Sequence, residues 1–496
     1  MTCACDIHDS SARLAPRRPP PDRTTRRASS PRAAMRPPTN RPSVRVWDPR
    51  ARAVDAPGVV VPDVPEPTLA SARRLAALEL ELHARVKRAR SDLTSIARAS
   101  ASGASSSSSS PLLLFERWLA RCALAATRDG EAGAGALAAP LLPGREDGLA
   151  KDLRRHGADE EAAARGARDA ATRSRAAATR WAEASANASF GEDESFAVVV
   201  RDAGGGFVSL QLGEKRPYVK VTKTHLGKLR ALYCRTCRRG KPLSEDVTSS
   251  EYATFAYCVF ALLLRYESLG GAGYQAALGE DAFDVLNARL AVSCECFASP
   301  LNARYGRFCS AFFDVDAYFG SLGNFFGDGF APRRGSFEMN PPFVPETMLA
   351  AVEKASALLD RAEKSGDALS FVVIVPAWKE CKFWEFLHAC SHLRCGPDVV
   401  DAASHGFCDG AQHARPTSER HRVSSFDTGV WYLQSTAASK KWPCTREIRD
   451  DVIRTMKNAL GSCKTVAELE RRYRGKRPRA DAADPPRRRG RPSDAA

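Results

Sequence analysis

The four residues Asn340-Pro341-Pro342-Phe343 are the stretch whose types and spacing best suit a chemical task. An exocyclic amine on a nucleobase is a poor nucleophile because its lone pair is delocalised into the ring. The Asn340 side-chain carbonyl and the Pro341 backbone carbonyl can each accept one of its N–H groups, which draws the nitrogen toward tetrahedral geometry and aims the lone pair outward. Pro341 and Pro342 fix the backbone beforehand, so little ordering is left for the reactive complex. Phe343 offers a flat face for an extruded base. Attack on a methyl sulfonium needs no general base if the proton leaves afterwards. The competing reading of these four letters is an ordinary Asn-Pro-Pro turn followed by a core phenylalanine, and the flanking elements decide between the two.

Residues 336–339 read as a short strand stopped by the two prolines, which cannot donate to a ladder. Residues 344–362 place Met348, Val352, Ala355, Leu358 and Leu359 at helical spacing, and 369–375 is a continuous apolar run of the kind buried on both faces of a sheet. The order strand, corner, helix, strand is a βαβ unit with the corner at the carboxyl end of its first strand. Open α/β sheets bind ligands at that end, and the catalytic reading gains from the placement.

Two tails dominate the charge. Residues 1–54 carry 12 Arg against 4 Asp and residues 471–496 carry 10 Lys or Arg against 3 Asp, so most of the formal +16 lies outside the 416 residues between them. The 15 cysteines follow no evenly spaced framework and read as reduced thiols in an intracellular compartment. Cys234 and Cys237 form a lone C-x-x-C without a second pair, so unligated cysteines are expected there and no metal. No run of 18 apolar residues suggests a membrane span.

In chain order, the sequence predicts a disordered basic Pro/Arg-rich tail over 1–64, then a helical domain over 65–194 with a Ser-rich linker at 101–110. A long helix is expected over 68–97. Residues 195–455 are expected to hold a hairpin around Gly204-Gly205-Gly206, a basic helical segment and the α/β sheet of the central unit. Residues 404–410 and 429–434 are expected to supply its late antiparallel strands. Residues 456–496 would be the end of a closing helix and a second basic tail. Residues 214–241 hold ten Lys or Arg against one Glu, with Tyr218, His225 and Tyr233 interleaved. Lys220 and Lys223 within it are candidate phosphate contacts, the alternative being a solvated basic face. Lys476-Arg477-Pro478-Arg479 and Arg487-Arg488-Arg489-Gly490-Arg491-Pro492 read as a bipartite nuclear-localisation signal.

Four stretches together resemble the cap-specific adenosine N6-methyltransferases, the phosphorylated-C-terminal-domain-interacting factors. They are Glu295-Cys296-Phe297-Ala298-Ser299-Pro300-Leu301-Asn302; Cys309 to Phe312 with Asp314, Asp316, Tyr318, Phe319, Gly320 and Ser321; Gly335 to Phe343; and Phe371 to Glu380. The resemblance runs from about 66 to about 455 and is clear from 195 onward. It implies an α/β fold, a Rossmann-like S-adenosylmethionine-dependent methyltransferase sheet preceded by a helical domain. It also implies methylation of N6 of the first transcribed adenosine, usually 2′-O-methylated, beside a 7-methylguanosine cap. Asn340, Pro341, Pro342 and Phe343 match the family's catalytic motif. No Gly-x-Gly-x-x-Gly follows the first strand, and by resemblance Glu295, Ala298, Ser299, Pro300 and Asn302 line the methionine end of S-adenosylmethionine in its place. One of Asp314 and Asp316 would accept from the ribose hydroxyls, with Phe319 and Gly320 nearby. Arg117, Glu346 and Trp378 are candidate contacts to the capped RNA, through triphosphate, guanine edge and stacking respectively. Animal members carry a WW domain that binds phosphorylated RNA polymerase II tail. Trp47 is the only tryptophan before Trp118, so the chain is expected to lack that module and to meet the transcription machinery by another route. Two alternatives stay open: the same chemistry on internal RNA or DNA adenine, and a catalytically silent nucleic-acid-binding adaptor.

Overall fold

The computed structural model describes residues 56–100, 111–128, 141–146, 148–187, 197–213, 218–270 and 275–459. The chain divides into two units, 1–43 and 44–496, and every described residue belongs to the second. The predicted tails (apart from 56–64 and the helix end up to 459), the serine linker and the localisation signal lie outside the described residues.

The helical part comprises α1 (Leu69–Ser100), α2 (Pro111–Arg128), α3 (Leu149–Arg155) and α4 (Glu160–Asn187). Leu82, Val86 and Leu93 are buried in α1 together with Ala72 and Ala76. Small residues there let neighbouring helices approach closely. A three-stranded antiparallel sheet follows, of β1 (Val198–Gly204), β2 (Phe207–Leu212) and β3 (Tyr218–Thr222). The hairpin turn places Gly204, Gly205 and Gly206 at φ 71°, 58° and 84°, a region glycine enters without a Cβ penalty. β3 corrects the expectation that the basic segment is helical throughout: Val219 and Val221 alternate with Lys220, and both valines are buried while Lys220 is exposed.

The rest of the segment is α5 (Lys223–Thr236), capped by Thr222, whose side chain accepts the His225 N–H. Then come α6 (Ser250–Leu269), α7 (Glu280–Leu290), β4 (Cys294–Glu295), α8 (Phe313–Asp316), β5 (Gly335–Met339), α9 (Pro345–Ser365), β6 (Leu369–Pro376), α10 (Lys382–Ala389) and β7 (Leu393–Val400). The chain continues through β8 (Gly406–Cys408), β9 (His421–Val423), β10 (Thr428–Gln434), α11 (Thr436–Lys441) and α12 (Arg446–Asn458).

The main sheet runs β4-β5-β6-β10-β7, with β4, β5 and β6 parallel and β10 antiparallel to both its neighbours. Parallel bridges from Glu295 to Phe308 and from Phe308 to Ser321 extend it beyond β4. The order across the sheet is therefore Ser321, Phe308, β4, β5, β6, β10, β7. Successive segments leave β4 in one direction, then resume on its other side at β5. The reversal between β4 and β5 is the switch point of a doubly wound, Rossmann-like sheet. Both faces are covered. Phe371, Val373 and Val375 of β6 pack with α9 and α10, whereas Val372 and Ile374 pack with α7 and α12. Each such side chain contributes about 1.5–3 kcal/mol of burial, which explains the unbroken apolar run.

Two expectations are corrected here. Of residues 404–410 only 406–408 is strand, and it pairs with β9 in a separate two-stranded sheet; β10 instead lies antiparallel between β6 and β7. Cys395 on β7 and Cys444 before α12 are joined as a disulfide, with Cα atoms 6.6 Å apart, so the cysteines are not all thiols. The other described cysteines, Cys234 and Cys237 included, are free, and no metal-holding cluster exists among the described residues.

Candidate active site

The carboxyl ends of β4 and β5 turn into the two segments singled out in the sequence. After β5, Asn340 leads into the prolines, and the Val344 N–H donates to the Pro342 carbonyl at 2.6 Å, closing a tight three-residue turn. Pro345 then opens α9 with its φ already suited to a helix. The Asn340 amide nitrogen donates to the Ala276 carbonyl at 3.4 Å, while its Oδ1 is buried without a partner. A buried acceptor left unmade costs about 1–3 kcal/mol. The amide is thus anchored by its donor and presents an unspent acceptor, which is what gripping an amine requires.

Aromatic rings surround the corner. Phe343 meets Trp378 edge-on with centroids 6.4 Å apart and Phe407 at 6.5 Å, and Trp378 meets Phe426 at 5.2 Å and 89°. Phe426 is 42% exposed. Edge-to-face contacts leave ring faces available for a flat ligand. Of these rings the sequence singled out Phe343 and Trp378; Phe407 and Phe426 arrive from the β8 and β10 connections, and no local spacing announces them.

The turn after β4 is held by side chains. Asn302 Oδ1 accepts from the Ser299 N–H at 2.7 Å and from Ser299 Oγ at 3.0 Å, while its amide nitrogen donates to the Gln275 carbonyl at 2.9 Å. Gln275 and Ala276 therefore tie together the turns after both strands. Ala298 and Pro300 lie in the same turn. Glu295 is buried, and its Oε1 accepts the N–H groups of Arg304 and Tyr305 at 2.7 and 2.9 Å. Its neighbour across the ladder is Glu338, also buried. Burial first, and then Glu295, hold the Glu338 carboxyl well above the usual range. Lys228 of α5 is buried near Glu295, its ammonium without a partner and its pKa pushed down by burial. Glu338 and Lys228 were not read from the sequence as site residues.

Asp314 and Asp316, the two ribose candidates, have distinct surroundings. Asp314 accepts from Arg265 at 3.0 and 2.6 Å. Asp316 is fully buried and accepts the Tyr266 hydroxyl at 2.7 Å. Burial pushes its carboxyl up from 3.8 to about 7, with the Tyr266 and Ser310 hydroxyls pulling the other way. Phe319 is a core ring 6.2 Å from Tyr233, and Gly320 follows it at φ 102°. The raised pKa has a stability consequence. Between pH 3.8 and about 7 the folded state keeps a proton that the unfolded chain has lost, so this group's contribution falls as pH rises through that window and levels off above it. Asp316→Asn is expected to remove that limb and gain a few kcal/mol relative to wild type at pH 8. Denaturant unfolding of both proteins across pH checks this, and parallel stability curves would refute it.

The candidate RNA contacts are already engaged in varying degree. Arg121 Nε donates to Glu346 at 3.1 Å and pairs with Asp152, joining α2 to the start of α9. Arg117 lies 3.8 Å from the same Asp152, and Arg155 lies 3.6 Å from it. Glu346 remains 43% exposed. Lys223 pairs with Asp202 on β1 at 2.5 Å, and the exposed Lys220 lies on β3. The structure thus gathers Asn340, Phe343 and Trp378 at one place, while Lys220 and Lys223 sit on β3 and at the start of α5.

A doubly wound sheet with an Asn-Pro-Pro-Phe corner at its switch point has the architecture of a Rossmann-like methyltransferase. The family described as "Phosphorylated CTD interacting factor 1 WW domain" matches residues 228–410. The matched stretch begins in α5 and ends just after β8. This corrects the expectation that the chain lacks such a module. The chain is 35% identical over 240 residues to the human mRNA (2'-O-methyladenosine-N(6)-)-methyltransferase and 36% identical over 240 residues to the mouse protein of that name. Each match covers 47% of this chain and 32% of the relative, so the chain aligns with about a third of the length of these proteins.

Proposed function

We propose that this chain transfers a methyl group from S-adenosylmethionine to N6 of the first transcribed adenosine, bearing or lacking a 2′-O-methyl, beside the 7-methylguanosine cap of mRNA. The observation that carries the reading is the unspent, buried Asn340 Oδ1 at the switch point. The similarity to two proteins named for that reaction supports it.

S-adenosylmethionine supplies an electrophilic methyl on a sulfonium. Asn340 Oδ1 and the Pro341 carbonyl accept the two N–H groups of the adenine amine and turn its lone pair outward. Phe343, with Trp378 edge-on to it, stacks the base and excludes water. The turn from Ala298 to Asn302 fits the amino-acid end of the cofactor, because its backbone is fixed by Asn302 and Ser299 before any ligand arrives. Asp316 fits the ribose hydroxyls, since its Oδ1 is buried without a partner while Oδ2 is held by Tyr266. Arg117 and Trp378 would meet capped RNA, and Glu346 would do so once released from Arg121. The basic tail directs the chain to the nucleus, and the matched family's description supports contact with phosphorylated CTD of the transcription machinery.

The test is methyl transfer from labelled S-adenosylmethionine to matched RNAs beginning with A, one set capped and the other bearing a 5′ triphosphate, with nuclease digestion of the products. Label in N6-methylated first-position adenosine on capped RNA alone is expected. Equal labelling of both sets, or of internal adenines, would overturn the cap assignment. Absence of transfer with RNA and cofactor both bound would overturn the catalytic reading.

A further inference from the structure

The basic segment 214–241 is the one sequence feature that the proposed reaction leaves unused, and its charges divide sharply once partners are counted. Arg230 pairs with Glu245, Arg238 with Glu66 and Glu251, Arg239 with Asp63, and Lys223 with Asp202. Arg235, in the last turn of α5, has no carboxylate, carbonyl or ring partner among the described residues. Beside it is a second arginine in the same condition, Arg307, whose Nε is buried and unbonded.

Two glycines make room for them. A Cβ on Gly306 would lie 2.1 Å from Arg235 Nη1, so the guanidinium rests directly on that glycine's backbone. A Cβ on Gly320 would lie 2.9 Å from the Gly306 carbonyl, 3.5 Å from Thr236 Oγ1 and 3.9 Å from Arg307 Nη1. Burial lowers the pKa of both arginines, and Arg235 lowers that of Arg307 further. Two half-buried cations share this glycine-floored recess, and among the described residues no carboxylate pairs with either. The favourable field of a helix C-terminus helps Arg235 alone.

The recess has a defined place. Arg307 precedes Phe308 and Gly320 precedes Ser321, the two bridge residues that extend the sheet in parallel with β4. It therefore lies at the amino-terminal edge of the sheet, opposite the Asn340 corner. We propose that Arg235 and Arg307 grip a backbone phosphate of the RNA strand as it passes round the sheet from the methylated end. This rests on the reading above that the substrate is RNA. The two unesterified oxygens of a phosphodiester match two guanidinium forks, and the Thr236 hydroxyl stands close enough to add a third donor.

The test uses the full chain, a capped RNA long enough to reach round the sheet, and a capped dinucleotide too short to do so. In R235Q/R307Q the preference for the long RNA over the dinucleotide should fall about tenfold, and the salt slope of long-RNA binding should become shallower by about 0.7, the value for one lost single-strand phosphate contact. R235K/R307K should restore the slope. The melting temperature should not fall, because no intramolecular partner is lost. Unchanged affinity and slope, with wild-type enzyme methylating the RNA, would overturn the site and leave the function standing. A lowered melting temperature would show the pair to be structural and overturn it too. Retained RNA affinity with loss of phosphoserine-peptide binding would overturn the assignment to RNA. If wild type methylates nothing while the double variant still shows the loss in RNA binding, the phosphate site stands and the function fails.

Discussion

Asn340→Ala is expected to reduce methyl transfer by about a thousandfold, or about 4 kcal/mol of transition-state stabilisation, in line with removal of one preorganised polar contact to a reacting group. The Pro341 carbonyl would remain and hold one amine hydrogen, which fixes the base but leaves its lone pair largely in the ring. The fold should tolerate the change. The variant loses the 3.4 Å bond to Ala276, and at the same time removes a buried acceptor that has no partner. These two effects are each about 1 kcal/mol and of opposite sign. Cofactor affinity, measured by calorimetry, should stay within a few-fold of wild type, because Asn340 faces the amine. The decisive comparison is single-turnover transfer on capped RNA. Near-normal turnover in the variant would remove the amine-gripping role altogether. A parallel loss of cofactor binding would move Asn340 to the other side of the reaction.

The corner was legible because every signal around it is local. Two prolines end β5, the 3.6-residue spacing marks α9, and the unbroken run of β6 could only be buried on both faces. The same logic found 429–434, now β10. It missed β7, whose sequence Leu-Arg-Cys-Gly-Pro-Asp-Val-Val places a glycine and a proline mid-strand. An edge strand tolerates that proline because one side of its backbone is unpaired, and edge position is not written in the segment itself. Residues 404–410 were expected in the main sheet, yet β8 pairs with β9 and bridges Ala277 through Cys408, while Phe407 is still buried against Val372, Ile374 and Val430 of the main sheet.

Charge was the least legible property. Ten cations in 28 residues suggested one basic face. Their fates depend on acids that arrive from Asp63, Glu66, Asp202, Glu245 and Glu251. Lys228 went to the interior and Arg235 was left over. The acidic pair after Phe312 behaved likewise: identical residue types two positions apart became an ion-pair member and a buried acid, according to which side of α8 met Arg265 and Tyr266. Helical and pleated periodicity predicts which face is apolar; it carries no information on which distant charge will sit opposite.

Arg265→Met is expected to cost about 3–5 kcal/mol of folding stability, the range for removing one partner from a buried ion pair. Arg265 is 1% exposed on α6 and donates from Nε to Glu79 of α1 at 2.9 Å, while two further nitrogens reach Asp314 of α8. It also lies 5.2 Å from the centre of the Phe312 ring. One guanidinium therefore joins the helical domain to the segment that precedes Asp316. Methionine fills much of the volume, so the loss would come from the carboxylates. Asp314, with its side chain 31% exposed, can turn to water, but Glu79 at 3% cannot. Burial already raises the Glu79 pKa, and Arg265 is the main force lowering it. Without Arg265 the folded pKa rises further, so the deficit should shrink as pH falls and Glu79 becomes protonated. The partner test is Arg265→Met with Glu79→Met, which removes the stranded charge and should recover most of the loss. Urea unfolding of the single and double variants at two pH values separates the possibilities. A double variant as unstable as the single one would mean that packing of α1 on α6, and not the unpaired carboxylate, sets the cost. Recovery of stability without recovery of cofactor affinity would show that the guanidinium also holds α8, and with it Asp316, in the position the site requires.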